Sequence, residues 1–245
     1  MLSLRCAAAH YGWPILREPT QIDIALPLGR KVRTVDGAVR VWLRELSEQE
    51  CHDRVTSPLS TVMDCARHLP FDEALAVADS ALRSKAVGRR ELREAGEVCR
   101  GVGAAAVRRV CGLADGRAAN PFESALRAVH AGVRGLQLTP QVEIGGDGFE
   151  SRTDLADERL RIVVEADSYA FHGDRELFEK TQRRQVELAG RDWIVLPYGW
   201  SAVTGEAAWV RAATQAVVHV RESRGYGSAL RRQRSWAGAA RRLPA

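Results

Sequence analysis

From residue 120 onward the chain reads as helix, three strands, helix, strand, helix, and this order limits its fold more than any other feature. Asn120-Pro121 supplies an N-cap and a proline at the first helical position, and Phe122, Ala125, Leu126 and Val129 then recur on one helical face up to about Ala131. Gln141 to Ile144, Phe149 to Ala156 and Arg161 to Asp167 read as consecutive strands joined by short turns. Glu176 to Ala189 reads as a helix, Trp193 to Tyr198 as a strand, and Glu206 to about Arg221 as a closing helix. The expected architecture is α/β, a mixed four-stranded sheet with flanking helices.

The third strand carries an anomaly. In Arg161-Ile-Val-Val-Glu-Ala-Asp167, two carboxylates sit on a run that otherwise belongs in an apolar core. A desolvated carboxylate costs several kcal/mol unless it is paired, protonated or bound to a metal. Side chains two apart on a strand share a face, so Glu165 and Asp167 point the same way. If Asp157, Glu158 and Arg159 form the turn, a pairing centre between Arg159 and Leu160 sets Asp154 opposite Glu165. Three carboxylates at one sheet edge either repel one another or bind a hard divalent cation such as Mg²⁺. Such an ion lowers the pKa of a bound water and stabilises charge on a phosphodiester. The competing reading is structural: Asp154 as a solvated strand end, Asp157 and Glu158 as turn acids, and Glu165 with Asp167 in salt bridges.

Charge and cysteine content narrow the partners and the compartment. Lys and Arg number 36 against 31 Asp and Glu, a net charge of +5. The excess is concentrated at the end, where arginines 221, 224, 231, 232, 234, 241 and 242 face the single Glu222 and interleave with Tyr226 and Trp236. This is compatible with a polyanionic partner without demanding one. Five dispersed cysteines (Cys6, Cys51, Cys65, Cys99, Cys111) suit neither a disulfide framework nor a structural zinc site. No apolar run is long enough for a membrane span, and Met1-Leu-Ser-Leu-Arg-Cys has no secretory apolar core. A cytoplasmic protein with no membrane role is expected, and a protein partner and the oligomeric state are left open.

The first half, Met1 to about Leu113, reads as a smaller α+β domain. Thr20 to Leu26 and Val39 to Arg44 alternate with period two and read as half-buried strands. Ser57-Pro58 opens a helix with Leu59, Val62, Met63, Ala66 and Leu69 at helical spacing, and Pro70 ends it. Further helices are expected over Phe71–Leu82, Arg89–Val98 and Ala104–Cys111. The Gly- and Ala-rich stretch from Gly112 to Asn120 is the linker candidate. The expected domains are therefore 1–113 and 120–221, followed by a basic tail, 222–245, expected to order only when bound.

The second domain resembles the small PD-(D/E)xK nucleases related to very-short-patch-repair endonucleases, which have a restriction-endonuclease-like core. The residues that carry the resemblance are Glu123, Gln141, Asp154, Glu165-Ala-Asp167-Ser168 and His172. Arg183-Arg184 with Leu188 and Gly190, and Trp193-Ile-Val-Leu196, complete it over about a hundred residues. The resemblance implies a metal-dependent DNA endonuclease using Mg²⁺ or Mn²⁺. Asp154 and Glu165 would be the metal ligands, with the Ala166 carbonyl as a third. Asp167 stands where a lysine is commoner and would be a ligand or orient the nucleophilic water; His172 would be a general acid or base, and Arg184 would hold a phosphate.

Each of these residues also has a plain structural reading. Glu123 with Asn120 forms a capping box, Gln141 a polar strand end, His172 a surface histidine, and Arg183 and Arg184 a solvated helix face beside Glu179 and Lys180. The chain also departs from the pattern. Ser168 replaces a glycine, Thr181 an aspartate, and Pro197 an arginine of many relatives, so a retired nuclease that keeps nucleic-acid affinity stands beside the active one.

The first domain resembles the middle part of actinobacterial regulators of the AbiEi-type antitoxin class. The carrying residues are Leu2 to Trp13, Ile22-Asp-Ile-Ala-Leu-Pro27 and Val55 to Ala66. In many relatives a winged-helix segment comes first, and this chain starts where that segment would end. The resemblance implies the alternative function, a non-catalytic DNA-binding regulator.

Overall fold

In a computed structural model that describes residues 1–30, 37–146, 148–167 and 175–228, the chain divides into two units, Met1–Ala128 and Val129–Ala245. Among the described residues no helix is long and apolar enough to cross a membrane.

The first unit contains α1 (Leu4–His10), β1 (Ile22–Pro27), β2 (Val39–Arg44) and α2 (Glu48–Asp53). Then come α3 (Pro58–His68), α4 (Phe71–Arg83), α5 (Arg89–Val98) and α6 (Ala104–Leu113). The two strands pair in parallel, from Ile22 with Val39 to Pro27 with Arg44. Ser57 caps α3 by accepting from the Ser60 N–H at 3.3 Å, with Pro58 at the first turn. Leu4, Val62, Leu75, Val77, Leu92, Val107 and Val110 are buried in a common core. α5 and α6 approach closely at Gly96, where an added Cβ would lie 2.7 Å from that of Cys111. Helices α1 and α2 are absent from the sequence expectation; both are short, and α2 depends on the Ser47–Glu50 capping box.

A buried ion pair organises the stretch that composition marks as a linker. Asp79 of α4, fully buried, pairs with Arg127 at 2.6 Å and accepts from the Asp115 N–H at 2.7 Å. Ala114, Asp115 and Ala118 are buried in turn, so Gly112 to Asn120 is packed against α4. The division between the units falls within α7 (Pro121–His130).

The second unit is built on a four-stranded sheet in the order β3 (Thr139–Gly146), β4 (Phe149–Asp157), β5 (Ile162–Asp167), β6 (Ile194–Gly199). The first two pairings are antiparallel. β6 runs parallel to β5, from Ile162 with Ile194 to Asp167 with Gly199. Helix α8 (Arg175–Gly190) makes the crossover, as a parallel connection requires, and α9 (Trp200–Gly205) and α10 (Ala207–Ser223) follow β6. Ile162, Val163 and Val164 are fully buried on the central strand. Each such side chain contributes about 1.5–3 kcal/mol. Val163, Ala156, Ile144 and Leu188 of α8 pack together on one face. The side chain of Tyr198 on β6 bonds Thr214 of α10 at 2.7 Å, and His130 bonds the same hydroxyl at 3.0 Å. Pro197 lies on β6, an edge strand, where its missing N–H is tolerated.

Candidate functional site

The β4–β5 register fixes the acidic residues. Leu155 pairs with Val164, Ala156 with Val163 and Asp157 with Ile162, and continuing that register by one step sets Asp154 opposite Glu165. Residues directly opposite on antiparallel strands share a face, so both carboxylates lie on the face that Ala156, Val163 and Leu188 cover. The β3–β4 register carries the row one strand further. Pro140 pairs with Leu155 and Val142 with Thr153, which leaves Gln141 beside Asp154. Gln141 has φ +54°, a left-handed conformation that a non-glycine residue adopts at a cost of about 1–2 kcal/mol. On the far side Glu165 pairs with Pro197 of β6.

Asp154 is half-buried, and its Oδ2 accepts from the Ala166 N–H at 2.8 Å, which fixes the carboxylate against the neighbouring strand. Glu165 is 8% exposed and both its oxygens are engaged by Arg184, Nη1 at 3.1 Å and Nη2 at 2.5 Å. Arg184 sits one helical turn before Leu188, so the helix face that packs on Val163 also directs the guanidinium to the acidic row. Burial pulls the Arg184 pKa down, but the hydrogen bond to Glu165 and the fields of Glu165 and Asp154 outweigh it and hold it above the ordinary arginine value. Arg184 is thus half-buried rather than part of a solvated helix face; Arg183 beside it is exposed.

The other expected residues are distributed differently. Asp167 ends β5, exposed. His172 and Ser168 lie outside the described residues. Glu123 is buried in the first unit, where it caps α7: its oxygens accept from the Ala119 N–H and the Asn120 side-chain amide, each at 2.8 Å. Asn120 returns the bond by accepting from the Phe122 and Glu123 N–H groups at 2.9 and 3.0 Å.

Asp157 plays a larger part than a turn acid. It is 1% exposed, accepts from the N–H groups of Gln137, Arg159 and Leu160 at 2.7, 3.0 and 3.1 Å, and pairs with the Arg159 guanidinium at 2.9 Å. It closes the β4–β5 turn that sets Asp154 against Glu165. The sequence signal was the side chain of an Asp at a turn entry, which bonds its own backbone two residues on.

Two hard carboxylate donors on adjacent strands are the ligand type that Mg²⁺ or Mn²⁺ takes, and the guanidinium near both marks a point that attracts positive charge. Among the described residues no group of three His, Cys, Asp or Glu side chains is arranged to hold an ion.

The chain matches no protein-family model and no solved structure. It is similar to two Mycobacterium tuberculosis proteins, uncharacterized protein Rv2248 of strain ATCC 25618 / H37Rv and uncharacterized protein MT2308 of strain CDC 1551 / Oshkosh. Each is 34% identical over 145 residues, which cover 58% of this chain and 53% of the relative. The chain therefore spans about half the length of the curated relatives it matches.

Proposed function

We propose that the second unit is a metal-dependent DNA endonuclease with a restriction-endonuclease-like core. The observation that carries the reading is the placement of Asp154 and Glu165 on the two central strands within the field of one guanidinium, each oriented by a specific hydrogen bond. The sheet supports it: an antiparallel β3–β4–β5 meander, a crossover helix and a parallel β6 follow the order of elements in the nucleases that the sequence resembles. Asp154 and Glu165 would hold the divalent cation, which supplies a water of lowered pKa and charge neutralisation at the phosphodiester. The Ala166 N–H keeps Asp154 turned toward β5, and Leu188 and Val163 exclude water behind the carboxylates. Asp167, at the exposed end of β5, would serve as a further ligand or orient the attacking water, from the position where a lysine is commoner. The basic tail and the α8 arginines supply phosphate contacts independent of sequence.

The Arg184–Glu165 pair favours a second reading. A buried acid whose two oxygens are both satisfied by a guanidinium is structurally complete without metal. On this reading the protein is a non-catalytic, antitoxin-like regulator with a retired nuclease fold. Calorimetric titration with Mn²⁺ separates the two. The nuclease reading expects binding that Asp154→Ala abolishes; heats identical for wild type and Asp154→Ala would leave the regulator.

A further inference from the structure

Arg184 closes on Glu165 through two nitrogens at 3.1 and 2.5 Å, and it lies within the field of Asp154. An ion held by Glu165 would need the oxygens that this guanidinium occupies, and two cations drawn to one carboxylate repel each other. We propose that Arg184 is a displaceable counter-cation: it neutralises Glu165 in the metal-free protein and, when a divalent cation takes that carboxylate, moves to a phosphate oxygen of bound nucleic acid. The proposal rests on the metal-dependent reading above.

The local construction suits an exchange. Arg184 is anchored through its helix by Leu188, which is fully buried, while its own side chain is 26% exposed and so reaches solvent. Its Nη1 also lies 3.4 Å from the Arg152 carbonyl, a weaker contact that can be given up at little cost. The planar fork that grips a carboxylate grips a phosphate with the same geometry.

Mn²⁺ calorimetry on wild type, Arg184→Gln, Arg184→Lys and Asp154→Ala tests the exchange. Removing the competing charge-assisted bonds in Arg184→Gln should tighten Mn²⁺ binding roughly tenfold. Arg184→Lys, which keeps the charge but loses the fork, should fall between it and wild type, and Asp154→Ala should abolish binding. Equal affinities for wild type and Arg184→Gln, with Asp154→Ala still abolishing binding, would overturn the exchange and leave the metal site standing. Absence of binding in every protein would remove both.

Arg184→Gln leaves a buried acid without its partner and can lose stability, so the wild-type protein supplies a second measurement. The arginine Nε–Hε resonance that disappears in Arg184→Lys should shift on saturation with Mg²⁺. With Ca²⁺ in place of Mg²⁺ it should shift again on adding a duplex oligonucleotide. A resonance that ignores Mg²⁺ overturns the displacement, and one that ignores DNA overturns the transfer to phosphate.

Discussion

Asp157 shows how one side chain sets the geometry of the whole acidic row. Its carboxylate satisfies three backbone N–H groups and a guanidinium, so Asp157→Ala leaves several donors without partners in a buried turn. The substitution should lower stability by about 2–3 kcal/mol, read from the urea midpoint. Loss below about 0.5 kcal/mol would mean that water replaces the carboxylate in the turn. Glu165 stood out in the sequence because an acid on an Ile-Val-Val strand violates the rule that buried charge must be compensated, and Asp154 because a turn at Asp157 to Arg159 sets it opposite Glu165. Their compensation was not legible: the arginine that pairs with Glu165 is nineteen residues away on another element, and sequence spacing cannot distinguish a helical arginine facing the sheet from one facing solvent.

At the scale of elements, α3 and β2 of the first unit share a charge network with a measurable pH signature. Burial pushes the Asp64 carboxyl up to about 6, only partly offset by the Arg44 guanidinium 2.9 Å away. Between about pH 4 and pH 6 the folded state keeps a proton on Asp64 that the unfolded state has lost, so stability falls as pH rises through that window. The full effect is roughly 2–3 kcal/mol. Asp64→Asn should abolish that fall and stabilise the protein above pH 6, as urea midpoints at pH 4 and pH 6.5 would show; an unchanged slope would mean that Asp64 titrates normally. Glu50 has the opposite sign. Burial raises it, but hydrogen bonds from Ser47, Ser60 and Ser57 and the charge of Arg44 take it down to about 2, so its contribution appears between about pH 2 and pH 4.5 and is lost below. The strands and the longer helices of the second unit were readable because each has its own period and punctuation. The short helices α1, α2 and α9 were not, since at seven, six and six residues they make fewer than two turns, too few positions for a period to show.

For the whole molecule, the proposed function makes charge and topology meet in nucleic-acid binding. If the α8 arginines and the tail contact phosphates, duplex affinity should fall steeply with salt, and Arg183→Ala should reduce the slope of log K against log salt by about 1 without changing sequence preference. A slope unaltered by the variant would exclude Arg183 from the interface. The order of elements was legible at this scale because short turns and a crossover helix leave few sheet topologies open. The division of the chain was harder to read, since a Gly- and Ala-rich stretch signals a linker whether or not a buried Asp79–Arg127 pair holds it down. The central claim is that Asp154 and Glu165 together support phosphodiester hydrolysis. Supercoiled, nicked and mismatched DNA incubated with wild type, Glu165→Ala and Asp154→Ala in Mg²⁺ or Mn²⁺ tests it directly. Cleavage by wild type that is lost with EDTA and falls at least about a hundredfold in both variants is the predicted result; equal cleavage by the variants, or none by any of the three proteins, would contradict it.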